Sequence, residues 1–198
     1  GQSAEDRIRE IAENAERRLG KPGFADKFYD YMSKGYYSLA TPIWANYGKT
    51  RGLPISCFGS YVADDMSRIL YTHAEVGMMT KYGGGTSAYF GSLRPRGSEI
   101  KGNGHSSGSV HFMELFDELI NIVSQGTVRR GHCAPYLPVE HGDIEEFLNI
   151  GKEGHPIQES TYAITVGDEW LKSIIDGDQE KRKTWAKIIQ RRTEIGYP

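Results

Sequence analysis

Two arginines that flank a proline, at Arg94 and Arg96, follow a glycine-rich stretch and offer the clearest chemistry in this sequence. Guanidinium groups bind phosphate oxygens bidentately, and the intervening proline stiffens the turn that presents them. The preceding run from Gly83 to Gly85 has no Cβ atoms, so its backbone can approach a ligand closely. The spacing fits neither the P-loop nor the dinucleotide-binding pattern. The stretch therefore indicates either a polyphosphate-binding loop or a helix end followed by a strand and a surface turn.

The two cysteines, Cys57 and Cys133, are the only residues whose side chains suggest redox chemistry. Taken alone, a single cysteine in a strand is most simply a small apolar core residue. Two cysteines cannot form a disulfide framework, which suggests a reducing compartment and predicts a cytoplasmic location. The six histidines have no ligand spacing, so the sequence predicts no metal site.

The elements that must position these groups follow from the apolar periodicity. Helices are expected at 3–19, 24–32, 65–82, 110–124, 143–150, 168–175 and 180–195, with strands at 55–62, within 83–90, at 132–137 and at 161–166. Pro42 favours an extended Thr41, and residues 45–54 are polar and turn-rich, which predicts a loop there. Strands that alternate with helices of this length predict a parallel α/β sheet or barrel.

A second glycine-containing basic loop, Gln125 to Gly131, carries two adjacent arginines. In parallel sheets, ligands bind in loops beyond the carboxyl ends of the strands. The arginine turn and this loop are therefore candidates for one ligand-facing edge.

Composition excludes several classes of protein. The chain has 198 residues, 38% of them hydrophobic, and a formal net charge of -2, as expected for a globular domain. This balance gives no indication of a nucleic-acid partner. No apolar run approaches the roughly 20 residues that a membrane span requires, and the polar start of the chain does not resemble a signal peptide.

Four segments, in this order and spacing, resemble the large, catalytic subunit of ribonucleotide reductase of class I or the closely related class II. The resemblance extends from about Ser38 onward. The segments are Ala40-Thr41-Pro42-Ile43, Ser56-Cys57-Phe58, the stretch Gly83 to Gly97, and Ser124 to Gly131 leading to Ala134-Pro135-Tyr136-Leu137.

The resemblance implies the first half of a ten-stranded α/β barrel. We expect an N-terminal helical segment at 1–36 and a partial barrel at 37–198, cut short at its C-terminus. The family's Asn-x-Cys-x-Glu motif and its C-terminal cysteine pair do not occur in this sequence. We therefore expect the stretch on its own to be inactive.

On the substrate side, the resemblance assigns Cys57 as a catalytic cysteine that supplies one electron and then forms a disulfide with a cysteine outside this chain. Thr41 and Ser56 correspond to positions that contact the substrate diphosphate and ribose, and Gly85 to a substrate-binding position. Cys133 matches no redox position and is interpreted as structural.

On the effector side, Asp64 corresponds to the acid that binds the effector's ribose hydroxyl, although a plain helix cap is the alternative. Arg94 corresponds to an arginine on the triphosphate, and Arg96 is near enough to help or is simply solvated. Gln125 and Arg129 lie on the loop that relays the effector, a deoxynucleoside triphosphate or ATP, to the substrate base.

The implied activity is reduction of ribonucleoside diphosphates by a thiyl radical on a cysteine that this chain lacks. The chain itself would hold no cofactor. A radical-generating small subunit would supply the radical in class I, which we favour, and adenosylcobalamin in class II. Thioredoxin or glutaredoxin would re-reduce the enzyme, and helices 65–81 and 110–124 would pair in a homodimer. The alternative is a non-catalytic nucleotide-binding or assembly piece of a split reductase subunit.

Overall fold

The computed structural model describes residues 1–50, 52–123, 131–158 and 160–198, and these residues form two compact units. The first unit is Gly1–Ser56 and the second is Cys57–Pro198. The boundary predicted after residue 36 differs from this one. The difference arises from a short helix at residues 41–46, which was not predicted and packs within the first unit. Among the described residues, no helix is both long and apolar enough to cross a bilayer.

The first unit is helical, as predicted. It contains α1 (Ala4–Leu19), α2 (Phe24–Ser33) and α3 (Thr41–Asn46). A capping box between Ser3 and Asp6 starts α1, and Gly20 ends it in the left-handed conformation that favours glycine. The expected extended geometry at Thr41 is wrong: Thr41 begins α3, because a proline in the first helical turn forfeits no intrahelical hydrogen bond.

A buried arginine joins α1 to α3 within this unit. Arg7 is 6% exposed, and its Nε donates to the Trp44 carbonyl at 2.7 Å. Its Nη2 donates to the Tyr47 carbonyl at 2.8 Å and to the Ile43 carbonyl at 3.1 Å. The Ile43 carbonyl also accepts from the Tyr47 backbone N–H, whereas the carbonyls of Trp44 and Tyr47 lie at the C-terminal end of the helix, where intrahelical donors run out. Arg7 therefore supplies hydrogen bonds at the end of this short helix.

The described residues of the second unit form a parallel sheet with helices between the strands, which confirms the predicted α/β fold. Its strands follow chain order as neighbours and are β1 (Cys57–Tyr61), β2 (Gly85–Tyr89), β3 (His132–Pro138) and β4 (Ala163–Thr165). Its helices are α4 (Met66–Lys81), α5 (Ser109–Ile122), α6 (Ile144–Phe147), α7 (Asp168–Ile175) and α8 (Gln179–Ile195).

Side chains alternate between two unlike faces of this sheet. The covered face packs against helices α4 and α5 and carries buried residues such as Ala88, Cys133 and Leu137. The opposite side, here called the open face, carries the in-register row Cys57, Gly85 and His132. Because residues i and i+2 of a strand share a face, Gly59 and Ser87 also lie on the open face, whereas Thr86 lies on the covered one.

Candidate functional site

Two of the predicted substrate-side residues lie side by side on the open face. Cys57 is the first residue of β1 and Gly85 the first of β2, and the two are direct partners in the sheet register. They line a groove of about 400 Å³ together with Phe58, Gly59, Thr86 and Ser87. The groove is therefore wide enough for a small molecule and presents one thiol at its amino-terminal end.

The prediction that Cys57 lies on a mostly buried strand is wrong, because β1 has no buried residue and the Cys57 side chain is exposed. The predicted strand 55–62 is shorter in the structure, so Cys57 begins β1 rather than lying inside it. β1 is also the edge strand of the described sheet. An exposed thiol can react with a second thiol, whereas a core cysteine is inert.

Cys133 has the opposite environment. It lies on the covered face of β3, 6% exposed, and both cysteines are free. Cys57 is in register with Gly85 and His132, so Cys133 is two strands away and its side chain points to the other face. The two cysteines therefore form no disulfide with each other in this structure. Burial, with a smaller effect of Asp117, raises the pKa of the Cys133 thiol to about 11, although a bond with Thr86 acts to lower it.

The other two predicted substrate contacts belong to the first unit. Thr41 is exposed at the start of α3, and Ser56, partly exposed, is the last residue of that unit. Ser56 precedes Cys57 directly in the chain. Their assignment to substrate phosphate and ribose remains an expectation from the resemblance.

The predicted effector residues Asp64 and Arg94, thirty positions apart, are brought together by the fold. Arg94 Nε donates to Asp64 Oδ2 at 2.7 Å, and the two side chains are 38% and 34% exposed. Asp64 follows β1, and Arg94 follows β2, so the pair lies at the carboxyl ends of neighbouring parallel strands. Asp65, not Asp64, caps α4 by accepting from the Arg68 backbone N–H at 3.1 Å. The Asp64 carboxylate therefore does not serve as the helix cap.

Asp64 and Arg94 share a pocket of about 280 Å³. One wall comes from the loop after the arginine turn, where Ile100 N–H donates to the Gly104 carbonyl at 2.7 Å and closes a small hairpin. Gly104 has a φ of +84°, a conformation that glycine adopts readily. The pocket is further lined by Asp65, Met66, Ile69, Leu93, Ile100, Asn103, Ser106 and Phe112.

Sequence reasoning did not identify these wall residues and treated 98–109 as an ordinary loop. The repeated glycines around Asn103 were the available signal, because they permit a tight hairpin. The spacing of residues in the sequence did not indicate that this hairpin contacts the arginine turn.

The Arg96 side chain is 50% exposed, and its guanidinium pairs with a different carboxylate from the one that Arg94 engages. Its Nε and Nη2 donate to the two carboxylate oxygens of Glu146 on α6 at 2.9 and 2.6 Å. This bidentate pair raises the pKa of Arg96. Gln125 and Arg129, the predicted relay residues, lie outside the described residues.

Residues 55–192 match the family model "Ribonucleotide reductase, barrel domain", and residues 2–52 match "Ribonucleotide reductase, all-alpha domain". A solved structure titled as the class Id ribonucleotide reductase alpha subunit of Actinobacillus ureae superposes with a TM-score of 0.89 at 56% identity. The superposition covers 100% of this chain and 36% of that one.

Curated relatives give the same family at lower identity. A Chlamydia trachomatis ribonucleoside-diphosphate reductase subunit alpha is 30% identical over 83% of this chain and 16% of the relative. A vitamin B12-dependent ribonucleoside-diphosphate reductase of Mycobacterium tuberculosis is 30% identical over 76% of this chain and 22% of the relative. The chain thus spans between a sixth and about a third of the length of these proteins. With 138 of its residues inside the barrel-domain match, this chain belongs to the ribonucleotide reductase large-subunit family.

Proposed function

We propose that this chain is the first half of the catalytic barrel, with the helical segment that precedes it, of a class I ribonucleoside-diphosphate reductase large subunit. In this proposal it contributes a specificity-effector site at Asp64 and Arg94 and one redox cysteine, Cys57, to an enzyme that reduces ribonucleotides to deoxyribonucleotides. The single observation that carries the proposal is the meeting of Asp64 and Arg94 in one pocket, because the resemblance had assigned both residues to one nucleotide.

The charge arrangement at the pocket suits a triphosphate. The Asp64–Arg94 ion pair is about one-third exposed, and such a pair contributes only about 0–1 kcal/mol. A charge-assisted bond from an arginine to a phosphate contributes about 1.5–3 kcal/mol. A nucleotide phosphate can therefore replace Asp64 as the partner of Arg94 with little loss of free energy. The released Asp64 carboxylate can then accept a hydrogen bond from the ribose hydroxyl.

The groove on the open face suits the reductive half of the chemistry. Replacing a 2′-hydroxyl by hydrogen consumes two electrons and two protons and releases water. Two thiols supply both when they join as a disulfide. Cys57 is exposed in the groove and provides one thiol. Cys133 is buried on the opposite face, so the second thiol must come from a residue outside this chain.

The identities favour class I over class II. The class Id alpha subunit is 56% identical over the whole chain, whereas the vitamin B12-dependent enzyme is 30% identical over 76% of it. In class I the radical comes from a small subunit, so we propose such a partner. Thioredoxin or glutaredoxin would then reduce the disulfide.

A homodimer is proposed through α4 and α5. These helices pack against each other, yet each keeps large apolar side chains on its outer surface. Such unpartnered apolar surface commonly marks a protein interface. The exposed side chains are Met66, Leu70, Tyr71 and Met78 on α4, with Leu115 and Ile122 on α5.

The test of the proposed effector site is calorimetric titration of dTTP, dATP and dGTP into the intact protein, with Arg94→Ala beside wild type. We expect Arg94→Ala to weaken binding about 10- to 100-fold, which corresponds to one charge-assisted bond. Arg18→Ala, which removes an exposed arginine at the end of α1, is the matched control and should bind as wild type does. Equal binding by wild type and Arg94→Ala would reduce Arg94 to a surface charge and end the effector assignment.

A further inference from the structure

The turn Leu93–Arg96, which carries Arg94, is fixed by one buried carboxylate that belongs to a different segment. We propose that Asp143 is a positioning residue for the effector site: it holds this turn against the start of α5 so that Arg94 is presented to the triphosphate. The inference rests on the effector site of the proposed function, and it adds to that site a residue that does not touch the nucleotide.

Both oxygens of the Asp143 carboxylate accept hydrogen bonds from donors in two other segments. Its Oδ1 accepts from the Arg96 backbone N–H at 2.8 Å. Its Oδ2 accepts from the Ser109 backbone N–H at 2.7 Å and from the Ser109 hydroxyl at 2.8 Å. Asp143 is 5% exposed and Ser109 is fully buried. Bonds to an ionised acceptor in such a site are stronger than bonds between neutral groups.

The same carboxylate supplies the cap that α5 lacks. The N-cap residue of α5 is Gly108, which has no side chain to accept from the first helical N–H groups. Asp143 fills this role from another segment, and its negative charge lies at the positive end of the helix. A Cβ at Gly108 would lie 2.9 Å from Asp143 Oδ2 and 2.8 Å from Arg96 Cβ, and its φ is +89°. The close approach of the three segments therefore requires glycine here.

The other end of the turn is held by His141, two residues before Asp143. His141 Nδ1 accepts from the Asp143 backbone N–H at 3.1 Å, so the proton of the neutral ring is on Nε2. Nε2 then donates to the Leu93 carbonyl at 2.7 Å. The segment 141–143 thus holds the turn both before and after Arg94.

This arrangement fixes the backbone of Arg94 without contacting its guanidinium. The Arg94 carbonyl accepts from the Ser106 hydroxyl at 3.3 Å, while the guanidinium reaches the pocket and pairs with Asp64. A ligand that engages Arg94 therefore does not have to order the turn first. Preorganisation of this kind raises affinity because less conformational entropy is lost on binding.

The direct test is Asp143→Asn in the intact protein. A carboxamide keeps one acceptor oxygen and places an NH₂ group against donors, so Arg96 and Ser109 cannot both be satisfied. We expect dTTP, dATP and dGTP to bind about tenfold more weakly or worse, as measured by calorimetry. Amide hydrogen exchange should become faster at Arg96 and Ser109.

A second variant displaces the turn without removing any of these bonds. A Cβ at Gly142 would lie 2.7 Å from Pro95 Cβ, which belongs to a stiff ring and cannot swing away. Gly142→Ala should therefore shift the turn and weaken the same triphosphates. If Asp143→Asn fails to fold, Gly142→Ala decides the question.

The control must lose buried hydrogen bonds elsewhere in the same unit. Arg191, 7% exposed on α8, donates to the Ile150 carbonyl at 2.9 Å. Arg191→Met should lower the melting temperature yet bind triphosphates as wild type does. A purely structural Asp143 would make Asp143→Asn behave like Arg191→Met.

The outcomes separate the two proposals. Weaker binding in Asp143→Asn or Gly142→Ala, with wild-type binding in Arg191→Met, supports the positioning role. Wild-type affinity in both turn variants overturns that role and leaves the effector site standing. If wild type binds none of the three triphosphates, the proposed effector site fails and the positioning role fails with it.

Discussion

The two faces of the sheet give their cysteine side chains opposite environments. Cys57 on the open face is exposed in a groove, and Cys133 on the covered face is buried behind α4 and α5. The two cysteines lie in one sheet, two strands apart. Cys133 is one position beyond His132, the residue in register with Cys57, and this one-residue offset places it on the opposite face. The comparison shows that the sheet face on which a cysteine lies decides whether its thiol is accessible for chemistry.

The largest expected effect is on turnover in the intact enzyme. Cys57→Ser should reduce deoxynucleotide formation with thioredoxin to background, because a hydroxyl cannot form the disulfide that supplies the electrons. Cys133→Ala, the matched change on the covered face, should retain activity. Chromatographic quantification of dCDP made from CDP measures both. An active Cys57→Ser variant would remove the proposed difference between the faces.

Thiol labelling probes the same contrast without turnover. With a pKa of about 11, Cys133 is about one part in a thousand thiolate at pH 8, and burial also blocks access to it. Iodoacetamide should therefore modify Cys57 at least about a hundredfold faster than Cys133 in the native protein. Peptide mass spectrometry after timed quenching gives the two rates. Equal rates in native protein, and not only in urea, would contradict the burial of Cys133.

Truncations on the two faces should differ in their effect on stability. Leu137 is fully buried on the covered face, so Leu137→Ala should lower the free energy of unfolding by about 2–5 kcal/mol. Ser87→Ala, on the open face, should change it by no more than about 0.5 kcal/mol. Urea denaturation followed by circular dichroism measures both values. Similar losses for the two variants would mean that the open face is packed as tightly as the covered one.

The smallest effect is a pH dependence that comes from Cys133. Its folded pKa of about 11 lies above its ordinary value of 9.0, so folding favours the neutral thiol. This contribution is fully present below pH 9 and is lost as pH rises through 11. At pH 10 it should already have fallen by about 1 kcal/mol.

The measurement compares unfolding free energies of wild type and Cys133→Ala at pH 8 and pH 10. Other groups titrate in both proteins, so only the difference between the two slopes reports on Cys133. Wild type should lose more stability than the variant. Parallel slopes would show that the Cys133 thiol ionises as readily in the folded protein as in the unfolded one.

Most of the elements could be predicted from periodicity. The long helices α1, α4, α5 and α8 begin and end within about two residues of the predicted positions, because apolar spacing and caps determine them locally. The α3 helix was missed because it is short and its carbonyls are bonded by Arg7, which lies more than thirty residues earlier and is not part of the local pattern. The exposure of Cys57 was missed because it depends on the open face of an edge strand, where Gly59 and Tyr61 are exposed as well. Local spacing does not show which face of a strand the helices cover.

Less of the candidate site than of the fold could be predicted from the sequence. Nothing local joins Asp64 to Arg94, and only the family resemblance assigned them to one ligand. Asp143 looked like an ordinary residue at the start of a short helix. Its bonds to Arg96 and Ser109 span 47 and 34 positions of the sequence. Apolar periodicity within one helix or strand cannot indicate contacts between segments so far apart.

The strand order of the second unit has a consequence for how the chain folds while it is being synthesised. Within the described sheet, each strand after β1 pairs with the strand made just before it. Helices and local turns form within microseconds, whereas a ribosome adds about 5–20 residues per second. The sheet can therefore grow one strand at a time as the chain emerges. For β1, β2 and β3, the helix that packs against the strand is made just before it or comes next, namely α4 for β1 and β2 and α5 for β3.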